Sequence, residues 1–282
     1  MQGHFGPFSF VDRITQLEAG KRAAGCFAVP AKLSRFSSCL ALEAAGQLAA
    51  WLAIADLDFR LRPVAGVAMD LRFGAQVHPG QTLDLAIDID RCDQDAVRYS
   101  ACAYAEGVKV IDLEHSLGPM LPMEEFDAPD AMRERFELLC GGGAPVGRFD
   151  GVPEHDIEIL EDVRGKSVRA MLRVPEEAAF FSDHFPRRPV FPGTMLLDAH
   201  IQVSLAAAGR SGHWSPAMRI AVASVPSMKL RAFITPGDMV ELLAELSPPD
   251  GGNVMMVKTG ARVNGKQVAM GQLEITALDG EA

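Results

Sequence analysis

Phe181-Ser182-Asp183-His184-Phe185-Pro186-Arg187-Arg188-Pro189-Val190-Phe191-Pro192-Gly193-Thr194-Met195-Leu196-Leu197-Asp198-Ala199-His200-Ile201-Gln202 reads as a loop feeding a helix. Pro186, Pro189 and Pro192 forbid a helix before Gly193, and the Pro192-Gly193 step marks the turn from which a regular element can start. From Thr194 nothing breaks a helix before Gly209. That helix is apolar or alanine-rich almost all round, so it is expected to be buried. Asp198 and Gln202 stand out, one turn apart on a face that otherwise has no use for charge.

The same stretch resembles the hallmark of the beta-hydroxyacyl-[acyl-carrier-protein] dehydratases of the FabA/FabZ type, which are built on the hotdog fold. The matching residues are His184-Phe185-Pro186, then Pro189-Val190-Phe191-Pro192-Gly193, then Asp198 and Gln202. The match is dense and ungapped, unlike a lone histidine or glycine pair.

The 282 residues suffice for a large core or two domains, and 48% hydrophobic with 23% charged residues is a soluble globular composition. A net charge of -10 argues against nucleic-acid binding, which needs a basic face. The start shows no secretory signal, and the longest apolar run, 39–55, is interrupted by Glu43 and Gln47. That run is short for a membrane span, so a cytoplasmic protein away from membranes is expected. The five scattered cysteines suggest neither a disulfide framework nor a zinc site. His78, His115, His155, His200 and His213 show no ligand spacing, so no metal is expected. His4-Phe5-Gly6 looks like a fragment of the motif but precedes the first opening strand. A Gly-x-Ser-x-Gly elbow, a phosphate loop and a dinucleotide turn are all missing, and no cofactor is called for.

The chain is one unit written twice. Gly165-Lys166 echoes Gly20-Lys21, Asp198 and Gln202 echo Glu43 and Gln47, and Thr235-Pro236-Gly237 echoes His78-Pro79-Gly80. Alternating residues predict strands over 67–73, 83–90, 97–105, 109–117, 240–246, 254–263 and 267–276. The glycine-rich 140–147 reads as a flexible connector after a charged helix-like stretch. This gives a first unit, 1–140, and a second, 147–282. The expected class is α+β, a double hotdog with two long central helices each wrapped by an antiparallel sheet. The second unit alone has the histidine loop, and no histidine stands between His4 and His78.

The resemblance implies that paired units share each site, the histidine from one and the acid from the helix of the other. Carried over, His184 is the base and Glu43 the acid, with the Gly193 N–H as donor to the thioester oxygen. Gln47 orients Glu43. The mirror site has Asp198, supported by Gln202, but no histidine, so one working site per chain is expected; pairing of His184 with Asp198 is the alternative. Taken alone, His184 reads as a loop residue and Glu43 as a capping acid. Phe191, Pro192, Met195 and Trp51 are candidates to line an acyl tunnel or simply to fill the core. Arg187 and Arg188 are candidates to dock an acidic carrier, or are two solvated charges.

These expectations describe a dehydratase turning a 3-hydroxyacyl thioester, on acyl carrier protein or coenzyme A, into the trans-2-enoyl thioester in fatty-acid or polyketide-like synthesis. A hotdog thioesterase and a non-catalytic acyl-binding module are the rivals. Double-bond isomerisation and pairing of two chains into a homodimer stay open.

Overall fold

Two turns set the repeat in space. Gly20 (φ 68°) and Gly165 (φ 73°) sit in the left-handed region at matching hairpin tips, where glycine carries no steric penalty. In the computed structural model, which describes residues 5–215, 217–247 and 253–278, the first hairpin is β1 (Arg13–Glu18) with β2 (Arg22–Ala28). Then come α1 (Ser38–Asp56), β3 (Leu61–Pro63), β4 (Val67–Phe73), β5 (Thr82–Cys92), β6 (Ala96–Ala105), β7 (Val108–Pro122) and α2 (Pro129–Cys140). The second half runs β8 (Asp156–Val163), β9 (Ser167–Arg173), α3 (Gly193–Arg210), β10 (Ile220–Leu230), β11 (Met239–Ser247), β12 (Val254–Val263) and β13 (Lys266–Ala277).

The strand order β1-β2-β5-β6-β7-β4-β10-β13-β12-β11-β9-β8 reads the same from both ends once each strand is replaced by its counterpart. The two expected sheets are therefore one, joined where β4 pairs antiparallel with β10, Val67 opposite Lys229 and Arg72 opposite Ser224. The repeat extends to single bonds. Val29 N–H donates to Gln81 O at 2.9 Å, and Val174 N–H to Asp238 O at 3.0 Å. Glu106-Gly107 and Asn264-Gly265 turn the β6–β7 and β12–β13 hairpins, all four with positive φ, as primed two-residue turns require.

The helices pack on the sheet, α1 on β5 and β6, α3 on β11, and each on the other. α1 is long and apolar enough to cross a membrane by length and composition alone. It is nonetheless the core helix of this sheet, with Ala41, Ala44, Ala45, Leu48 and Ala49 fully enclosed. The residues between the halves are also not the loose connector expected. Ala144 N–H donates to Asp12 O at 2.7 Å, and the Arg148 guanidinium bonds Asp12 Oδ1 at 2.6 Å, Ser9 O at 2.6 Å and Val11 O at 3.0 Å. Phe149 adds edge-to-face contacts with Phe10 and Phe36. A buried ion pair and aromatic packing thus hold the start of the second half against the first.

Candidate active site

Helical spacing alone puts Leu42, Glu43, Gly46, Gln47, Ala50, Trp51 and Ile54 on one stripe of α1, and that stripe faces a cavity of about 440 Å³. Gly193, Thr194, Leu196 and Leu197 of α3 face it from the other half, with His184 and Phe191 from the preceding loop. The lining is mostly apolar with a few convergent polar groups, in the size range of small-molecule sites.

The histidine loop is held by its backbone. His184 N–H bonds Phe180 O at 3.0 Å, Val190 N–H bonds His184 O at 2.9 Å, and Phe191 N–H bonds Ile234 O at 2.7 Å. The His184 ring stacks on Phe185 (centroids 4.2 Å apart) and meets the edge of Phe8. Its Nδ1 lies 3.0 Å from Val190 O. A carbonyl only accepts, so Nδ1 carries the proton and Nε2 is the basic nitrogen of the neutral ring. Burial pushes its pKa below the ordinary 6.5; the Glu43 charge and the Val190 bond oppose this, and Arg62 adds to it.

Glu43 accepts from Gln47 Nε2 at 2.9 Å through Oε1 and from the Thr194 hydroxyl at 2.7 Å through Oε2. Gln47 also bridges Phe8 O at 2.9 Å and Phe10 N–H at 2.8 Å, so its amide orientation is fixed. Gly193 opens α3, where the first N–H groups have no intrahelical acceptor and the helix dipole is positive. A side chain there would first meet Leu230 Cδ1, at 2.4 Å, and Ala65 Cβ, at 3.8 Å. The glycine thus lets the helix start against β10. Asp183 also lines the cavity; burial raises its pKa, against the Phe8 N–H bond it accepts at 2.6 Å.

Several expected site residues fall elsewhere. Pro192 is the buried residue capping α3, and Met195 lies on the turned-away side of the first helical turn, in the core; neither lines the cavity. Arg187 donates to Glu124 O at 3.0 Å, and Arg188 pairs with Glu125 and lies over Phe233, so the two are tied to the first half and form no unpaired basic patch. Asp198 lines a different cavity, on the mirror side, which does contain a histidine. His155 arrives from the segment before β8, outside the interval where the repeat places a histidine loop, and its Nε2 lies 3.1 Å from Asp198 Oδ2. Ser37, the N-cap of α1, donates to Asp198 Oδ1 at 2.6 Å, and Gln202 donates to Oδ2 at 2.9 Å. Burial opposes the charged form of Asp198, yet these bonds outweigh it and hold the carboxyl below the ordinary range.

Thr194 and Arg62 were not singled out from sequence. Each gains its meaning from groups far along the chain, although a hydroxyl directly after Pro192-Gly193, in the first turn of a buried helix, is a readable hint for Thr194. All five cysteines are free. Among the described residues, one group of possible metal ligands gathers, Asp70, Glu114 and His115. None of the three lines the cavity, and Glu114 already pairs with Arg72 at 3.0 Å. His4 lies outside the described residues.

The whole fold is similar to two solved hotdog-type structures. One is the putative oleoyl thioesterase from Lactobacillus plantarum, with TM-score 0.61 and 9% identity over 92% of this chain and 97% of that one. The other is the dehydratase domain of PpsC from Mycobacterium tuberculosis in complex with C12:1-CoA, with TM-score 0.56 and 13% identity over 96% and 99%. The class is therefore the double hotdog. Residues 155–272 match the model of the FabA-like domain. The 3-hydroxyacyl-[acyl-carrier-protein] dehydratase FabZ of Myxococcus xanthus is 30% identical over 125 residues, covering 44% of this chain and 81% of the relative. Its counterpart from Sodalis glossinidius is 31% identical over 109 residues, 38% of this chain and 72% of the relative. The chain belongs to the FabZ-type dehydratase family.

Proposed function

We propose that the protein dehydrates a 3-hydroxyacyl thioester to the trans-2-enoyl thioester in one chamber per chain, between the halves 1–140 and 147–282. The observation that carries this reading is the pairing of His184 with Glu43 across one apolar cavity, the imidazole with its Nδ1 proton spent on Val190 O. Nε2 of His184 takes the proton beside the thioester carbonyl. The Gly193 N–H takes up the charge that develops on the thioester oxygen; loss of such a donor typically costs about 3 kcal/mol of transition-state stabilisation. The C–O bond at the third carbon breaks as Glu43, which starts the cycle as the carboxylic acid, gives its proton to the departing hydroxyl, which leaves as water while Glu43 becomes the carboxylate. Proton transfer from His184 back to Glu43 resets the pair. Thr194 and Gln47 aim the carboxyl.

The carrier is acyl carrier protein or coenzyme A, and no support for docking comes from Arg187 or Arg188. The test is enoyl absorbance with free thiol followed in parallel on a 3-hydroxyacyl thioester. Enoyl product without thiol release is expected, and His184→Ala or Glu43→Gln should lower the rate by roughly 100-fold or more. Thiol release from a saturated acyl thioester, or His184→Ala turning over normally, would overturn the reading.

A further inference from the structure

Every carboxylate on the cavity wall already has its donors, whereas one cation has no acceptor. Glu43 is held by Thr194 and Gln47, Asp183 by Phe8 N–H, and Asp127 by Arg135 at 2.7 Å and by the Ala128 N–H at 2.8 Å. Arg231, also on the wall, reaches out to Met270 Sδ. Arg62 stands on β3, whose backbone pairs with the end of β7, Arg62 opposite Leu121. Its Nε is fully buried without a partner, and among the described residues its guanidinium makes no hydrogen bond or ion pair. The Cζ lies 4.2 Å from the centre of the Phe185 ring, the ring that stacks on His184.

The cation therefore sits beside the reacting centre. Arg62 as a whole is half-buried, and Nε is the part of it that is fully enclosed; holding a guanidinium there without an acceptor costs it some hydration, and a stacking contact with one aromatic ring replaces only part of that. Glu43, Asp127 and Asp183 act on it only at a distance. Its planar fork matches two oxygens of a carboxylate or phosphate.

We propose that Arg62 binds an anionic oxygen group of the substrate, either a carboxylate borne on the acyl chain or the phosphate of the pantetheine arm, and thereby selects for it. This rests on the dehydratase reading above and adds a specificity determinant to the same chamber.

Three thioesters test it: a plain 3-hydroxyacyl group on N-acetylcysteamine, a 3-hydroxy diacid with one free carboxylate on the same thiol, and the plain acyl group on 4'-phosphopantetheine. In Arg62→Gln, kcat/KM should fall on the order of 100-fold for one of the charged substrates and little for the neutral one. A loss on the diacid assigns the carboxylate, and a loss on phosphopantetheine the phosphate. Arg62→Lys keeps the charge without the fork and should fall between wild type and Arg62→Gln; if Arg62→Gln does not fold, the lysine variant must still lose at least about tenfold on that substrate alone. Equal loss on all three substrates, or no loss on any, overturns the inference while the dehydratase reading stands. Wild-type protein that forms enoyl product from none of the three removes both.

Discussion

At the scale of single residues, His184 decides the chemistry by which of its nitrogens keeps the proton. Because burial lowers its pKa below 6.5, the neutral base is the resting form at neutral pH. The acidic limb of kcat/KM should therefore lie below pH 6.5, with activity lost as pH falls through that value, and a pH–rate profile of the free enzyme measures it. A limb at or above 6.5 would mean that the Glu43 charge outweighs desolvation. His184, Glu43, Gln47 and Gly193 were legible because they sit in a dense local pattern or in its repeat. Thr194, Arg62 and His155 were not: Thr194 meets Glu43 across 151 residues, and no local periodicity encodes such a contact.

At the scale of elements, the start of α3 against β10 is a tight constraint on the site. Gly193→Ala should push Leu230 aside, displace the first turn of α3 and slow turnover about tenfold or more, because small misplacements of catalytic groups are expensive. Gly193→Ala with Leu230→Ala should recover much of that loss; kinetics of the two single variants and the double variant check it. The same elements explain how far the sequence could be read. α1 and α3 announced themselves as apolar all round, and β4 to β7 and β11 to β13 announced themselves by alternation, whereas β2 and β9 alternate in burial as well and were not among the expected strands. β8 is an almost wholly exposed edge strand, and β10 lies at the join between the halves with a burial pattern that does not alternate, so neither had a period to read.

At the scale of the whole molecule, two equivalent corners have different work. Around Glu43 the donors leave a carboxyl facing an open chamber, whereas around Asp198 three donors close on the charge. Asp198→Ala should leave kcat near wild type and cost roughly 1–3 kcal/mol of stability, as loss of a half-buried carboxylate held by several hydrogen bonds does. The sign of its pH dependence follows from the lowered pKa. The contribution is complete above the unfolded value of about 3.9 and disappears as pH falls through the lower folded value. Denaturant melts of wild type and variant at pH 7 and in acid, set beside the turnover rate, check both halves of the statement.

The palindromic strand order has one more implication. In an assembly of two identical chains, any change to one corner is made to both, so a corner could not give up its reaction without silencing its twin. Covalent linkage lifts that restriction: the Asp198 corner, where Ser37 of the first half donates to Asp198 of the second, is free to serve as a clasp between halves while the proposed reaction stays at the opposite corner. On the proposed function the protein carries the frame of two workplaces and a single occupant, and a tight-binding inhibitor should titrate it at one equivalent per polypeptide.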